Sequence, residues 1–177
     1  LMSEYLFNEI EIGDEIVYKG PMGIFTLPDK IDRDIYFVST GSGISPFRSM
    51  VNWIAENNIQ TKKIKLFFGT RTKKDICYYN EMLELEKKLP NFEYVPVLSR
   101  HESKLTTGSP FFHHKPLEDW NGARGYVHEH YLKRIKESKE KPLVYFCGWS
   151  KMISEGRDHL SELGFEMSKD IRVEIFG

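Results

Sequence analysis

From residue 35 onward the chain alternates short apolar runs with longer segments whose apolar residues recur every three or four positions. The runs at 35–39, 64–69, 93–98, 142–147 and 171–175 are rich in β-branched and aromatic residues and flanked by turn formers, which predicts five strands. Between them, helical spacing predicts helices over 46–57, 80–88, 127–135 and 150–163; the first gathers Phe47, Met50, Val51 and Ile54 on one face. Strand and helix alternating in this way point to βαβ units with right-handed crossovers. The expected fold is therefore α/β, a doubly wound five-stranded parallel sheet. Its strands are almost wholly apolar, as a sheet covered on both faces requires. Residues 1–27 do not share the pattern. Residues 14–20 predict a short strand, Gly20-Pro21-Met22-Gly23 a turn, and 28–34 a polar linker. Residues 101–124 read as a long polar insertion that carries aromatics.

Composition narrows this picture by exclusion. A chain of 177 residues holds one full domain plus a fragment, and enough core to need no staples. Its 40% apolar and 29% charged content is ordinary for a globular protein, and a net charge of -1 offers no electrostatic case for nucleic acid or an anionic membrane. No apolar run reaches the ~20 residues of a membrane span, and no signal-peptide pattern opens the chain. Beginning at Leu1, the sequence reads as part of a longer protein. Cys77 and Cys147 are too few for a disulfide framework, and reduced thiols in a cytoplasmic setting are expected. No Cys/His cluster has zinc spacing: His113-His114 reads as a surface-loop pair and His128-x-His130 as a helix-start pair, so no metal site is expected.

The chemistry concentrates where the first strand meets the first helix, in Thr40-Gly41-Ser42-Gly43-Ile44-Ser45-Pro46. A Gly-rich turn that opens a helix presents amide N–H groups and the positive end of the macrodipole to a pyrophosphate. Gly41 and Gly43 can take positive φ and admit a close backbone or phosphate. Pro46 suits the first helical position. The plainer alternative is a strand–turn–helix corner whose glycines only turn the chain. The turn is not a Rossmann fingerprint, because Pro46 replaces the third glycine and no acidic residue ends the second strand. Three further short motifs, Gly69-Thr70-Arg71, Ser99-Arg100 and Cys147-Gly148, also fall at predicted strand ends. In an open α/β sheet ligands bind outside the carboxyl ends of strands where strand order reverses, so a central first strand would gather all four loops at one crevice.

The turn resembles the pyridine-nucleotide domain of the ferredoxin–NADP reductase family. Further matches follow in the family's order: Phe68-Gly69-Thr70-Arg71, Val97-Leu98-Ser99-Arg100, Gly125-Tyr126-Val127, Tyr145-Phe146-Cys147-Gly148 and Glu174-Ile175-Phe176-Gly177. Upstream, residues 3–8 and Gly20-Pro21-Met22-Gly23-Ile24-Phe25 are similar to the tail of that family's flavin domain. The resemblance implies a remnant of an antiparallel flavin-binding barrel over residues 1–28 and an NAD(P)-binding domain over 29–177. It implies an FAD-dependent NAD(P)H oxidoreductase that passes hydride from NAD(P)H to FAD and electrons to an acceptor. That acceptor is a ferredoxin-like, iron–sulfur or haem protein, or a small molecule.

The resemblance also assigns roles. It implies that Cys147 and Gly148 lie against the nicotinamide, Cys147 near the carbon that carries the hydride, with Glu174 beside it and Phe176 on the flavin face. Thr40, Gly41, Ser42, Gly43, Ser45 and Pro46 would line the pyrophosphate, with Arg71 either guiding phosphates or simply a surface arginine, and Met152 also in the cofactor site. Ser3 would belong to the flavin pyrophosphate site. Ser99 and Arg100 would approach the adenosine ribose or a 2′-phosphate, with Arg124 as a second cation or a solvated loop charge; NADH-using members share the pair, and the balance tilts to NADH. Asp75 is placed to meet a ribose hydroxyl or simply to face solvent. The family's Arg-x-Tyr-Ser/Thr strand, which holds the isoalloxazine, is missing from this sequence. A second reading stays open: a dinucleotide-binding or structural subunit without its own flavin.

Overall fold

The computed structural model describes residues 2–20, 22–100 and 120–176. A helix α1 (Met2–Asn8) stands apart at the start, and the α/β body runs from β1 (Ile35–Thr40) to β6 (Ile171–Ile175). Between these come α2 (Ile44–Glu56), β2 (Ile64–Thr70), α3 (Tyr79–Lys88), β3 (Phe92–Leu98), β4 (Ala123–Arg124), α4 (Val127–Glu137), β5 (Leu143–Gly148), α5 (Ser150–Glu162) and α6 (Met167–Asp170). The six strands form one parallel sheet in the order β4-β3-β2-β1-β5-β6. β1 is central. The chain builds outward from it in one direction through β2 to β4, then reverses and adds β5 and β6 on the other side.

Each face of the sheet carries its own core. Ile35, Phe37, Leu66, Phe68 and Tyr145 pack under Phe47, Val51 and Ile54 of α2 and Met82 and Leu85 of α3. On the opposite face, Tyr36, Val38, Phe67, Val144 and Phe146 pack under Val127, Tyr131 and Ile135 of α4 and Met152, Ile153 and Leu160 of α5. Consecutive strand residues thus serve opposite layers, and every residue of β5 is buried. The five expected strands and four expected helices are found with ends shifted by one or two residues.

Three features differ from expectation. A sixth strand, β4, pairs Val97 with Ala123 and Leu98 with Arg124. Two residues between glycines carry no periodicity to read; tertiary contacts make the strand, with Gly125 N–H donating to Leu98 O at 3.0 Å and Trp120 Nε1 to Ala123 O at 3.0 Å. Helix α2 begins at Ile44 after a single 3₁₀ turn over Gly41–Gly43, so Pro46 is its third residue, still inside the first turn where a missing N–H costs nothing. Finally, residues 14–20 form no strand. Ile16, Val17 and Tyr18 are exposed there, and a lone strand without a neighbour cannot pair its backbone groups.

The segment after residue 24 does join the body. Phe25 lies 5.8 Å from the Phe47 ring and 5.4 Å from the Tyr145 ring, and Tyr145 Oη donates to Thr26 O at 2.9 Å. Arg33 then pairs with Asp170 at 2.7 Å, which fastens the linker to the start of β6. Among the described residues no helix is long and apolar enough to cross a membrane.

Candidate functional site

The reversal of strand order lies between β1 and β5, and the carboxyl ends of these two neighbours meet in unusually tight contact. A Cβ placed on Gly43 would lie 2.3 Å from Cys147 O and 2.6 Å from Gly148 N. Reciprocally, a Cβ on Gly148 would lie 2.6 Å from both Thr40 O and Thr40 Oγ1. Two glycines therefore let two loops interlock backbone against backbone. Positive φ is needed at Gly41 (56°) and Gly148 (133°). Gly43 has φ −63°, so its expected left-handed conformation is corrected to a steric requirement: the central strand's neighbour leaves no room for a side chain.

Above this interlock the first turns are open. Gly41, Ser42 and Ser45 are exposed, and neither the 3₁₀ turn nor α2 receives a side-chain cap. Helix-start amides without a cap are donors for an anion. The arrangement fits the diphosphate of a dinucleotide, with hydroxyls of Ser42 and Ser45 beside it.

On the β5 side, Cys147 is aligned with Ser39 of β1 and with Glu174 of β6. Phe176 N–H donates to Gly148 O at 3.1 Å, and Trp149 N–H donates to Thr40 Oγ1 at 3.1 Å. Cys147, Gly148, Glu174 and Phe176 are thus gathered. Their exposures differ sharply: Phe176 is exposed, Glu174 half-buried and Cys147 wholly buried among the residues facing α2. Burial, and secondarily the Glu174 carboxylate, pushes the Cys147 thiol up to about 12. A thiol so placed stays protonated and packs as a small apolar group. Met152 is buried in the α4/α5 layer and offers a ligand no surface in this arrangement.

On the β2 and β3 side, Ser99 N–H donates to Thr70 O at 2.9 Å and Arg100 N–H to Arg71 O at 3.0 Å, which sets the two arginines side by side. Both arginine side chains are exposed. The Ser99 hydroxyl donates to Thr70 O at 3.2 Å and so holds its own loop. Two candidates are committed elsewhere. Asp75 Oδ2 accepts from Thr72 N–H at 3.0 Å and Thr72 Oγ1 at 2.9 Å, and Arg124 donates to Trp120 O at 2.7 Å. Ser3 lies in α1, and its side chain is outside the described residues, as are Pro21, His113 and His114. The described residues before β1 build no flavin cradle: Phe7, Ile12, Val17, Tyr18 and Ile24 are exposed there.

Sequence reasoning missed Trp149, which is 59% exposed directly after Gly148. A large aromatic immediately after a glycine at a central strand end was the available signal. The His128-x-His130 pair does open a helix, α4, as expected, but its two members part there. His130 Nε2 bonds Arg124 O at 2.8 Å, whereas His128 turns inward, shares a 2.9 Å hydrogen bond with Tyr131 Oη and lies 3.4 Å from Glu155. Burial, and then the neighbouring His159, lowers the His128 pKa. Among the described residues no three His, Cys, Asp or Glu side chains converge to hold a metal.

The sequence model of the family described as "Oxidoreductase NAD-binding domain" matches residues 37–158. The anthranilate 1,2-dioxygenase electron transfer component of Acinetobacter baylyi is 29% identical over 162 residues, 92% of this chain and 42% of the relative. NADH-cytochrome b5 reductase 1 of Dictyostelium discoideum is 29% identical over 168 residues, 94% of this chain and 53% of the relative. The chain therefore spans about half the length of these relatives or less. The crystal structure of an Amycolatopsis cytochrome P450 reductase superposes with a TM-score of 0.75 at 21% identity, covering 98% of this chain and 47% of that one, a likeness of fold.

Proposed function

Because the chain belongs to the oxidoreductase NAD-binding domain family, we propose that it is the NAD(P)H-binding module of a flavin-dependent reductase. When bound, NAD(P)H supplies a hydride that FAD takes up and hands on as single electrons; the protein supplies position, charge and exclusion of water. The observation that carries the reading is the double glycine interlock at the point where strand order reverses, topped by an uncapped helix start. Hydride transfer between the two cofactors requires no general acid or base.

The parts divide by position along the sheet. Amides of Gly41, Ser42 and Gly43 and the start of α2 face the diphosphate at the centre. Arg71 and Arg100 lie one and two strands away on the β2/β3 side, ~5 and ~10 Å off at ordinary strand spacing, and serve the adenosine end. Gly148, Glu174 and Phe176 lie on the β5/β6 side and serve the nicotinamide end, where the flavin domain of the complete protein meets it. Cys147 acts there through its small volume. The electron acceptor in this reading is a ferredoxin-like, iron–sulfur or haem protein or a small molecule; the relatives are named for a dioxygenase and for cytochrome b5. Two unpaired cysteines suit a reducing compartment such as the cytoplasm.

The irregular course and exposed side chains of residues 11–20 and 22–24 favour keeping a second reading, a dinucleotide-binding subunit without flavin of its own. Calorimetric titration tests the shared core of both. Saturable binding of NAD+, tighter than that of NADP+, is expected; a folded chain that binds neither overturns the proposal.

A further inference from the structure

Trp149 is the largest exposed side chain at the crevice, and its surroundings fix it with unusual care. Trp149 is 59% exposed, and its indole touches no ring and bonds no polar group among the described residues. Its backbone is held from two sides. The Trp149 N–H donates to Thr40 Oγ1 at 3.1 Å, and the preceding Gly148 O accepts from Phe176 N–H at 3.1 Å. Thr40 is itself wedged: a Cβ on Gly69 would lie 3.2 Å from Thr40 Cγ2, and one on Gly148 2.6 Å from Thr40 Oγ1. The methyl therefore faces Gly69 and the hydroxyl faces the Gly148–Trp149 turn. Gly148 itself has φ 133°, a conformation that favours glycine.

A solvent-exposed tryptophan on a pinned backbone is a preorganised stacking surface. Its position selects the ligand part. Trp149 follows β5, beside Glu174 and Phe176 at the end of β6, whereas Arg71 and Arg100 lie across β1 at the ends of β2 and β3. Cations suit the phosphorylated adenosine end; an indole suits a planar heteroaromatic ring, best of all one that carries positive charge. The pyridinium ring of an oxidised dinucleotide is such a group.

We propose that Trp149 is the aromatic wall for the nicotinamide ring and that Thr40 is the positioning residue that holds it. The inference rests on the dinucleotide-binding reading and deepens it: the Thr40 hydroxyl, expected from the resemblance to line the pyrophosphate, instead accepts from the Trp149 N–H at 3.1 Å and acts on the nicotinamide end through that amide.

The test compares NAD+ with ADP-ribose, which keeps both phosphates and the adenosine but lacks the nicotinamide ring, by calorimetry on this chain. Trp149→Ala should bind NAD+ about tenfold more weakly, the scale of one ring stacked on an aromatic side chain. Its affinity for ADP-ribose should stay within about twofold. Thr40→Val keeps the shape but loses the acceptor and should weaken NAD+ about threefold to fivefold, the scale of one hydrogen bond, again sparing ADP-ribose. Thr40→Ser should restore NAD+ binding, a rescue that a merely structural role of the methyl would not produce. Circular dichroism confirms that each variant is folded. Equal losses for both ligands, or none for either, overturn the inference and leave the dinucleotide reading standing. Failure of the unmodified chain to bind ADP-ribose and NAD+ alike removes that reading, and this inference with it.

Discussion

Gly43→Ala sets two effects of opposite sign against each other. At φ −63° and ψ −5° the backbone is in the ordinary right-handed region, where alanine is fully at ease. By conformational entropy alone the change would stabilise the protein by about 0.4–1 kcal/mol. The added methyl, however, would lie 2.3 Å from Cys147 O, 2.5 Å from Cys147 C and 2.6 Å from Gly148 N. All three are backbone atoms of β5, buried and hydrogen-bonded beside the central strand, so neither side can yield by turning a side chain. Overpacking in cores costs about 1–3 kcal/mol, occasionally more, and this site belongs at the upper end. The contact wins, with a net loss of about 2–3 kcal/mol. At roughly 2–4 °C per kcal/mol for a chain of this size, the melting temperature should fall by roughly 5–10 °C. Thermal denaturation followed by circular dichroism measures it, with Gly41→Ala as the comparison. Gly41 has a left-handed φ of 56° but nothing within 4 Å of its would-be Cβ, so only about 1–2 kcal/mol of strain is expected there. Backbone angles alone predict that Gly41→Ala is the worse change; the interlock predicts the reverse. A Gly43→Ala chain as stable as the unmodified one, or more stable than Gly41→Ala, refutes the reasoning.

The buried His128 should make stability fall in mild acid. Its folded pKa lies below the ordinary value of about 6.5, so its stabilisation is whole above that pH and is lost as pH falls below it through the folded value. Urea midpoints at pH 8 and pH 5.5 should differ more for the unmodified chain than for His128→Gln; equal differences would remove His128 as the cause. Iodoacetamide at pH 8 should label the exposed Cys77 in the native protein and spare Cys147, whose thiol is buried and pushed up to about 12. Mass spectrometry counts the labels, and rapid labelling of both native thiols contradicts the placement of Cys147. The purified chain should show no flavin absorbance near 450 nm, since the described residues ahead of β1 build no flavin cradle; a yellow preparation with one tightly held FAD per chain overturns this expectation.

What the sequence revealed, and what it hid, follows from which forces act locally. Strands β1, β2, β3, β5 and β6 were legible because both faces are covered, which turns them into apolar runs bounded by turn residues. Helices α2 and α5 were legible because a single face of each meets the sheet. The two-residue β4 was not, since long-range hydrogen bonds to Leu98 and from Trp120 create it. Residues 14–20 misled in the opposite direction: the β-branched and aromatic run Ile16-Val17-Tyr18 suits a strand, but strand formation needs a partner edge. At the site, the Gly-rich turn and the motifs at strand ends were readable from order and spacing. The reason for Gly43 was not, because its constraint comes from β5, about a hundred residues away in the chain. Met152 and Asp75 show the same limit. Their residue types suit a cofactor site, but burial and local hydrogen bonds are decided by the neighbours that the fold brings, and no local pattern reports those neighbours.

Amide chemical shifts of the isotopically labelled chain, followed by NMR as NAD+ is added, test most directly whether the crevice between β1 and β5 is where the dinucleotide binds. The account predicts saturable shifts centred on Gly41, Ser42, Gly43, Gly148 and Trp149, with a second group at Arg71 and Arg100, and quiet amides at the opposite end of the sheet around Asn58, Asn91 and Arg33. Shifts confined to that opposite end, or none at saturating NAD+ and NADP+, would contradict it.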